Sequence, residues 1–177
     1  MRNATFLAVG FFLILLQSNL HLALGFIPLV GVTPNLIMPL VISLGVHEHS
    51  MTRGAVLTFV LGYLLDVLSG APIGFFTFVH VACWWMARVA GVRLTAQTWL
   101  TRISLGFGFS IVESAITLIL LAVFGSDTRR PVEIAAVAVP HAVSTAIVAP
   151  IVFRIAQKLH QASLAGGGAA ATEGGIR

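Results

Sequence analysis

The stretch from residue 54 to residue 75 reads GAVLTFVLGYLLDVLSGAPIGF, and its pattern decides the fold class. An apolar run with a single charged residue, Asp66, leads to the turn Ser69-Gly70-Ala71-Pro72, and a second apolar run follows directly. Because glycine and proline end helices, the stretch predicts two apolar helices joined by a tight, uncharged turn. Helices without a polar face are typical of membrane spans or of buried helices.

The composition of the whole chain favours the membrane. Of its 177 residues, 58% are apolar and 9% are charged, whereas soluble domains carry about 25% charged residues. The mean hydropathy is +0.99. Because a helix needs about 20 apolar residues to cross the hydrocarbon core, the length allows about six crossings and no sizeable soluble domain. The sequence therefore predicts an all-α integral membrane protein with about six transmembrane helices.

The apolar runs outline one transmembrane domain over residues 1–160, followed by a tail over residues 161–177. The glycine and alanine content of the tail predicts a disordered, cytoplasmic segment. The first apolar run is longer than the core of a signal peptide, which has about 7–15 residues, so we expect an uncleaved first span. The six predicted spans cover residues 4–24, 35–46, 54–69, 73–87, 103–124 and 132–155.

Arginine and lysine residues set the predicted orientation, because they accumulate in cytoplasmic loops. With six spans and a cytoplasmic N-terminus, two of these residues lie outside, Arg129 and Arg130. Both termini are therefore predicted to be cytoplasmic. The net charge of +4 follows from this topology, so we expect no nucleic-acid partner. The eight basic residues on the cytoplasmic side are Arg2, Arg53, Arg88, Arg93, Arg102, Arg154, Lys158 and Arg177.

Several polar residues fall inside the predicted spans, where a charged group costs about 2.5–3.5 kcal/mol. Gly62, Asp66 and Gly70 recur every four residues, which predicts a face of small residues packed against another helix. We expect Asp66 to form an interhelical hydrogen bond or to cap the turn; a proton or ion site is the alternative. In span 5, Glu113 lies on a polar stripe that faces inward or lines a cavity. The other buried polar candidates are Ser110, Thr117, His80 and His141.

The sequence predicts neither a metal site nor a cofactor. Glu113, His80 and His141 lie on different spans, without the spacing of paired ligands on one helix. The loop tripeptide His47-Glu48-His49 would bind a metal only weakly. There is no nucleophile motif of the form G-x-S-x-G and no phosphate-binding loop. We therefore expect a protein that is not an enzyme, with an intramembrane enzyme as a remaining alternative.

The hairpin resembles a motif of the rod shape-determining protein MreD family. In that family the motif has the form G-(hydrophobic)-D-x-x-x-G-x-P-(hydrophobic)-G. In addition, Pro34-Asn35-Leu36 resembles the Pro-Asp-Leu that opens the family's second helix, with Asn35 in place of the aspartate. Length, number of spans and basic loops are similar over essentially the whole chain. The residues that carry the motif are Gly62, Asp66, Gly70, Pro72 and Gly74.

The resemblance implies a function, a fold and a set of partners. Proteins of this family are components of the bacterial cell-elongation machinery in the inner membrane, with no known catalysis. Their fold resembles that of the substrate-binding S components of ECF vitamin transporters. The implied partners are the bitopic protein MreC, the actin-like MreB, and the glycosyltransferase and transpeptidase that build lateral-wall peptidoglycan. The motif residues would then shape a hairpin and a helix interface.

A transport subunit of the S-component type is the alternative function. In that case the polar residues around Glu113 and His141 would line a cavity for a small substrate.

Overall fold

Six α-helices make up most of the chain described by the computed structural model, which covers residues 2–24, 33–48, 50–91, 98–124 and 131–173. The described residues contain no strand, which confirms the predicted all-α class. Each predicted span corresponds to one helix. The helices are α1 (Arg2–Leu24), α2 (Ile37–His47), α3 (Met51–Ser69), α4 (Phe75–Gly91), α5 (Trp99–Phe124) and α6 (Pro131–Glu173).

Four of these helices are long and apolar enough to cross a membrane. The qualifying stretches are Asn3–Leu20 in α1, Met51–Ser69 in α3, Trp99–Phe124 in α5 and Ala136–Gln161 in α6. α2 and α4 are apolar but shorter. At about 1.5 Å of rise per residue, the 11 residues of α2 extend about 16 Å and the 26 residues of α5 about 39 Å.

The short helix α2 is the centre of the bundle. Nine consecutive residues of this helix, from Ile37 to Gly45, are buried. Ile37 and Leu40 belong to an apolar cluster with residues of α1 and α3, whereas Met38 and Ile42 belong to a second cluster with residues of α4 and α6. Because other helices enclose α2, its length does not have to match the thickness of the bilayer.

The last helix continues beyond the predicted span and into the segment predicted to be disordered. The sequence predicted an end of the span at residue 155 and disorder from residue 161, whereas α6 is helical through Glu173. Residues 174–177 lie outside the described residues. Five alanines after residue 161 favour a helix, whereas the three consecutive glycines at 166–168 disfavour it, so helix propensity alone does not account for this continuation.

One end of the bundle, here called the basic end, carries the arginine and lysine side chains. Glu48 is buried there and lies 3.2 Å from Nη1 of Arg53, and the Arg88 guanidinium donates to the Glu48 carbonyl. Arg53 Nε also donates to Asn3 Oδ1 at 2.6 Å. Arg93, Arg129, Arg130 and Arg177 lie outside the described residues. The basic end comprises Arg53, Arg88, Arg102, Arg154 and Lys158.

The opposite end, here called the hairpin end, contains the turn between α3 and α4 and the beginning of α2 at Asn35. α2 and α4 begin at this end, and α1 and α3 end there. The residues that the sequence singled out, apart from the basic ones, lie mainly in this half of the bundle.

Candidate functional site: a capped hairpin and a polar cavity

Two glycines with positive φ form the turn between α3 and α4. Gly70 ends α3 in the left-handed conformation with φ of 68°, and Gly74 has φ of 98°. Residues with a Cβ rarely adopt these angles, so glycine is the favoured residue at both positions. Between them, the carbonyl of Pro72 accepts a hydrogen bond from Phe75 N at 3.0 Å. Three of the predicted residues, Gly70, Pro72 and Gly74, therefore form the turn itself.

Asp66 caps the first turn of α4. The side chain is fully buried, and its Oδ1 accepts from Phe76 N at 2.6 Å. Its Oδ2 accepts from Gly74 N at 2.9 Å, from Thr77 N at 3.2 Å and from Thr77 Oγ1 at 2.6 Å. The first N–H groups of a helix lack partners within the helix, and a negative charge is favourable at that terminus. Both carboxylate oxygens of Asp66 thus accept hydrogen bonds from the beginning of α4, and these bonds hold α4 to α3.

Gly62 allows the backbones of α3 and α4 to approach closely. A Cβ atom at Gly62 would lie 2.7 Å from Cα and 3.2 Å from N of Thr77. Both are backbone atoms, so a side chain at this position would push α4 away. The predicted face of small residues is therefore covered by α4 of the same chain. Gly62 and Asp66 therefore lie in a helix interface within the chain.

Asn35 connects the beginning of α2 to α5 and α6. Its Nδ2 donates to Glu113 Oε1 at 2.5 Å, and its backbone N donates to Thr145 Oγ1 at 3.0 Å. Its Oδ1 accepts from Ile37 N at 3.0 Å and from Met38 N at 3.1 Å, which caps α2. The side chain must both donate and accept here. Asparagine does so and an ionised aspartate does not, which gives a physical reason for Asn35 in this chain.

Gln17 and His141 extend this polar group to α1 and to α6. Leu36 N donates to Gln17 Oε1 at 3.0 Å, and His141 Nδ1 lies 2.7 Å from the carbonyl oxygen of Thr33. A carbonyl oxygen only accepts, so this contact assigns the ring proton to Nδ1. A neutral His141 ring then has Nε2 as an acceptor.

These polar residues line a cavity of about 300 Å³ at the hairpin end, here called the polar cavity. It lies where the short helices α2 and α4 begin, while α5 and α6 continue beyond it. A neighbouring cavity of about 400 Å³ shares Gln17, Leu65 and Ser69 with it. The residues that line the polar cavity are Gln17, Asn35, Leu65, Ser69, Phe76, Glu113, Ser114, Thr117, Val137, Ala138 and His141.

One oxygen of the Glu113 carboxyl group has no hydrogen-bond partner among the described residues. Glu113 is 5% exposed, its Oε1 accepts from Asn35, and Oε2 is the atom without a partner. Leaving a buried polar atom unsatisfied costs about 1–3 kcal/mol, and more if it is charged. A donor that reaches Oε2, from a water molecule or from a ligand in the cavity, would remove this cost.

The other two buried polar candidates, His80 and Ser110, are not among the described residues that line the polar cavity. His80 is fully buried in α4, and its Nδ1 lies 2.7 Å from the carbonyl oxygen of Phe76 in the same helix. Ser110 is fully buried in α5, and its carbonyl accepts the Ser114 hydroxyl at 2.9 Å. The structure thus brings Asn35, Glu113, Thr117 and His141 together at one site and leaves His80 and Ser110 apart.

Sequence reasoning missed Gln17 and Thr77. Gln17 interrupts the first apolar run, and a polar residue inside a predicted span is a signal that could have identified it. Thr77 gives no comparable signal, because its hydroxyl matters only through the position of Asp66 on the neighbouring helix.

No family model, curated protein or solved structure matches the chain.

Proposed function

We propose that the chain is a non-catalytic membrane scaffold of the bacterial cell-elongation machinery. The hairpin is the observation that supports this proposal, because the residues that carry the resemblance to MreD have structural roles in it. Asp66 caps α4, Gly62 admits the backbone of α4, and Gly70 and Gly74 supply the positive φ angles. A motif that positions helices suits a protein whose role is to assemble other membrane proteins.

The proposed topology is six spans in the inner membrane with both termini in the cytoplasm. Among the described residues, the arginine and lysine side chains whose contacts are known all lie at the basic end. Positively charged residues accumulate on the cytoplasmic side, which supports a cytoplasmic basic end. α2 and α4 are shorter than a typical span, and both pack against neighbouring helices that can shield their ends from lipid. The fold would then resemble that of an ECF S component.

The proposed partners are an MreC-like bitopic protein, an MreB-like actin homologue, and the glycosyltransferase and transpeptidase of wall synthesis. Because α4 covers Gly62, a partner helix needs another surface. α5 presents Ser104, Gly108 and Ala115 on one exposed face, and a Cβ at Gly108 would have no neighbour within 4 Å among the described residues. Small residues let helix backbones approach closely, so we assign this face to the single span of the MreC-like partner.

Replacing Gly108 with leucine is expected to reduce the recovery of the MreC-like partner about tenfold, a loss of about 1.4 kcal/mol. The leucine side chain would hold the partner backbone away from α5, while the open space at Gly108 lets the chain itself fold. The measurement is affinity purification of the full chain from bacterial membranes, with quantification of the co-purified wall-synthesis proteins. Ala136→Leu is the matched control, because Ala136 is also small and exposed but lies on α6. Equal recovery from both variants would contradict the assignment.

A second candidate function is a small-molecule transport subunit of the S-component type, favoured by the polar cavity. In that case at least one compound in a panel of vitamins is expected to raise the thermal unfolding midpoint of the purified chain. A ligand present at 100 times its Kd stabilises the folded state by about 2.7 kcal/mol. An unchanged midpoint across the panel would count against transport and leave the scaffold function untouched.

A further inference from the structure

The polar cavity offers hydrogen-bond acceptors to a ligand. Glu113 Oε2 has no partner among the described residues, whereas the Asn35 oxygen accepts from the first turn of α2 and one Asn35 N–H donates to Glu113. The Ser114 hydroxyl donates its hydrogen to the Ser110 carbonyl, so its oxygen can only accept. His141 Nε2 is an acceptor because Nδ1 carries the proton. A ligand that satisfies Glu113 Oε2 and His141 Nε2 brings hydrogen-bond donors to them, while the amide N–H groups of Gln17 remain as donors of the protein.

The charged residue in the cavity also restricts the charge of the ligand. Among the described residues that line the cavity, Glu113 is acidic and none is an arginine or lysine. In its ionised form, Glu113 repels an anion and forms the stronger, charge-assisted type of hydrogen bond with a cation that carries N–H groups. Phe76 also lines the cavity, and aromatic rings attract cations.

The volume limits the size of the ligand. Ligand pockets usually range from about 300 to 1,000 Å³, and the polar cavity is at the lower limit with about 300 Å³. The neighbouring cavity of about 400 Å³ is lined by both apolar and polar side chains, and Ile14, Leu15 and Leu68 are among the apolar ones. A small ammonium group in the polar cavity could therefore belong to a free amine or to a lipid headgroup whose chain continues beside α1 and α3.

We propose that the polar cavity binds a primary ammonium group, with N–H donation to Glu113 Oε2. The proposal rests on the second candidate function in one respect: the polar cavity is a site for a small ligand. It does not require that the ligand is transported. It is independent of the scaffold function.

Thermal unfolding of the full chain in a neutral detergent tests the proposal. Ethanolamine is expected to raise the midpoint by at least about 2 °C in a saturable manner. Ethylene glycol, with a hydroxyl in place of the ammonium group, is expected to leave the midpoint unchanged at matched ionic strength. In the lipid arm, vesicles of phosphatidylcholine with and without phosphatidylethanolamine of the same acyl chains are compared. A response only to phosphatidylethanolamine would support the ammonium site and identify the headgroup as its source.

Two variants connect the response to the cavity. Glu113→Gln keeps the oxygen that accepts from Asn35 and replaces Oε2 with an NH₂ donor, so the response to ethanolamine should disappear. Ala138→Phe keeps the carboxylate but fills the cavity, and it should also abolish the response. Ala136→Phe is its control, because Ala136 is exposed and is not among the described residues that line the cavity.

The outcomes separate this inference from the proposed functions. An equal response to ethanolamine and ethylene glycol, or an undiminished response in Glu113→Gln, would overturn the ammonium assignment. If the vitamin panel stabilises the chain and amines do not, the ligand class is wrong and the transport candidate survives. If neither amines nor vitamins have an effect, both fail, while recovery of the wall-synthesis proteins still decides the scaffold function.

Discussion

Gly62→Leu is expected to prevent the chain from forming the α3–α4 pair, so that no single folded species can be purified. Even the Cβ atom would lie 2.7 Å from Thr77 Cα, and the leucine side chain has no space beyond it. Inserting atoms into a packed interface costs about 1–3 kcal/mol when the structure can adjust. Here the adjustment would move α4 away from α3 and stretch the hydrogen bonds of Asp66, which lies one turn away.

Gly62→Ala makes the same effect measurable in a variant that still folds. We expect its thermal unfolding midpoint to fall by about 2–10 °C, the range that corresponds to about 1–3 kcal/mol in a chain of this size. Gly108→Ala is the matched control. Alanine has no close neighbour there and is favoured over glycine in a helix by about 1 kcal/mol, so the midpoint should stay constant or rise.

Equal midpoints for the two alanine variants would show that α3 and α4 are not packed as the structure describes. Because the measurement uses the purified chain, a loss of stability in Gly62→Ala cannot come from a missing partner. Gly62 variants therefore report on the fold of the chain, whereas Gly108→Leu reports on the partner surface.

Asp66→Ala is expected to lower the free energy of unfolding by at least about 3 kcal/mol. The substitution leaves the backbone N–H groups of Gly74, Phe76 and Thr77 without their acceptor, at a helix terminus that is partly buried. It also removes the charge that the N-terminus of α4 favours. The free energy of unfolding of Asp66→Asn should lie between those of the unsubstituted chain and Asp66→Ala. The asparagine amide keeps one acceptor oxygen, but its NH₂ group faces the N–H donors of α4.

Denaturant titration in mixed micelles measures these differences, with Ser69→Ala as the control in the same turn. The Ser69 hydroxyl makes longer contacts, at 3.3 Å to the Asp66 carbonyl and 3.4 Å from Ala71 N, so its loss should cost less than about 1 kcal/mol. Amide hydrogen exchange provides a second readout, since Phe76 and Thr77 should exchange faster in Asp66→Ala than in Ser69→Ala. If Asp66→Ala were as stable as Ser69→Ala, the cap would have no structural role.

The proposed scaffold role and the polar cavity are compatible within one chain, because the proposed partner face and Glu113 lie on opposite sides of α5. The hairpin residues hold α3 to α4, the proposed partner face lies on the exposed side of α5, and Glu113 lies on the buried side of the same helix. Asn35 links α2 to the polar cavity, since it caps α2 and donates to Glu113. An aspartate at position 35, as in the resembling Pro-Asp-Leu motif, would place a second carboxyl group next to Glu113, so Asn35 and Glu113 suit each other.

The sequence by itself determined which segments are helices and where the tightest turn lies. Apolar runs, glycines and prolines act over a few residues, so the spans and the Ser69–Pro72 turn could be read directly. It also identified Asp66 and Glu113, because a charged residue in an apolar run is evident without a structure. After residue 161, where alanines favour a helix and glycines disfavour it, the sequence predicted disorder and the structure has α6 through Glu173.

The tertiary structure decided which groups meet. Asn35 and Glu113 are 78 positions apart in the chain, and His141 is 108 positions from Thr33, so their contacts depend on the rotation and depth of whole helices. The packing of Gly62 also depends on the tertiary structure. From the sequence alone, the face of small residues on α3 suits a partner helix and α4 equally well. Hydrogen bonds and backbone contacts act over about 3 Å, and no periodicity within one helix specifies the distance to another. The polar cavity exists for that reason only in the folded chain.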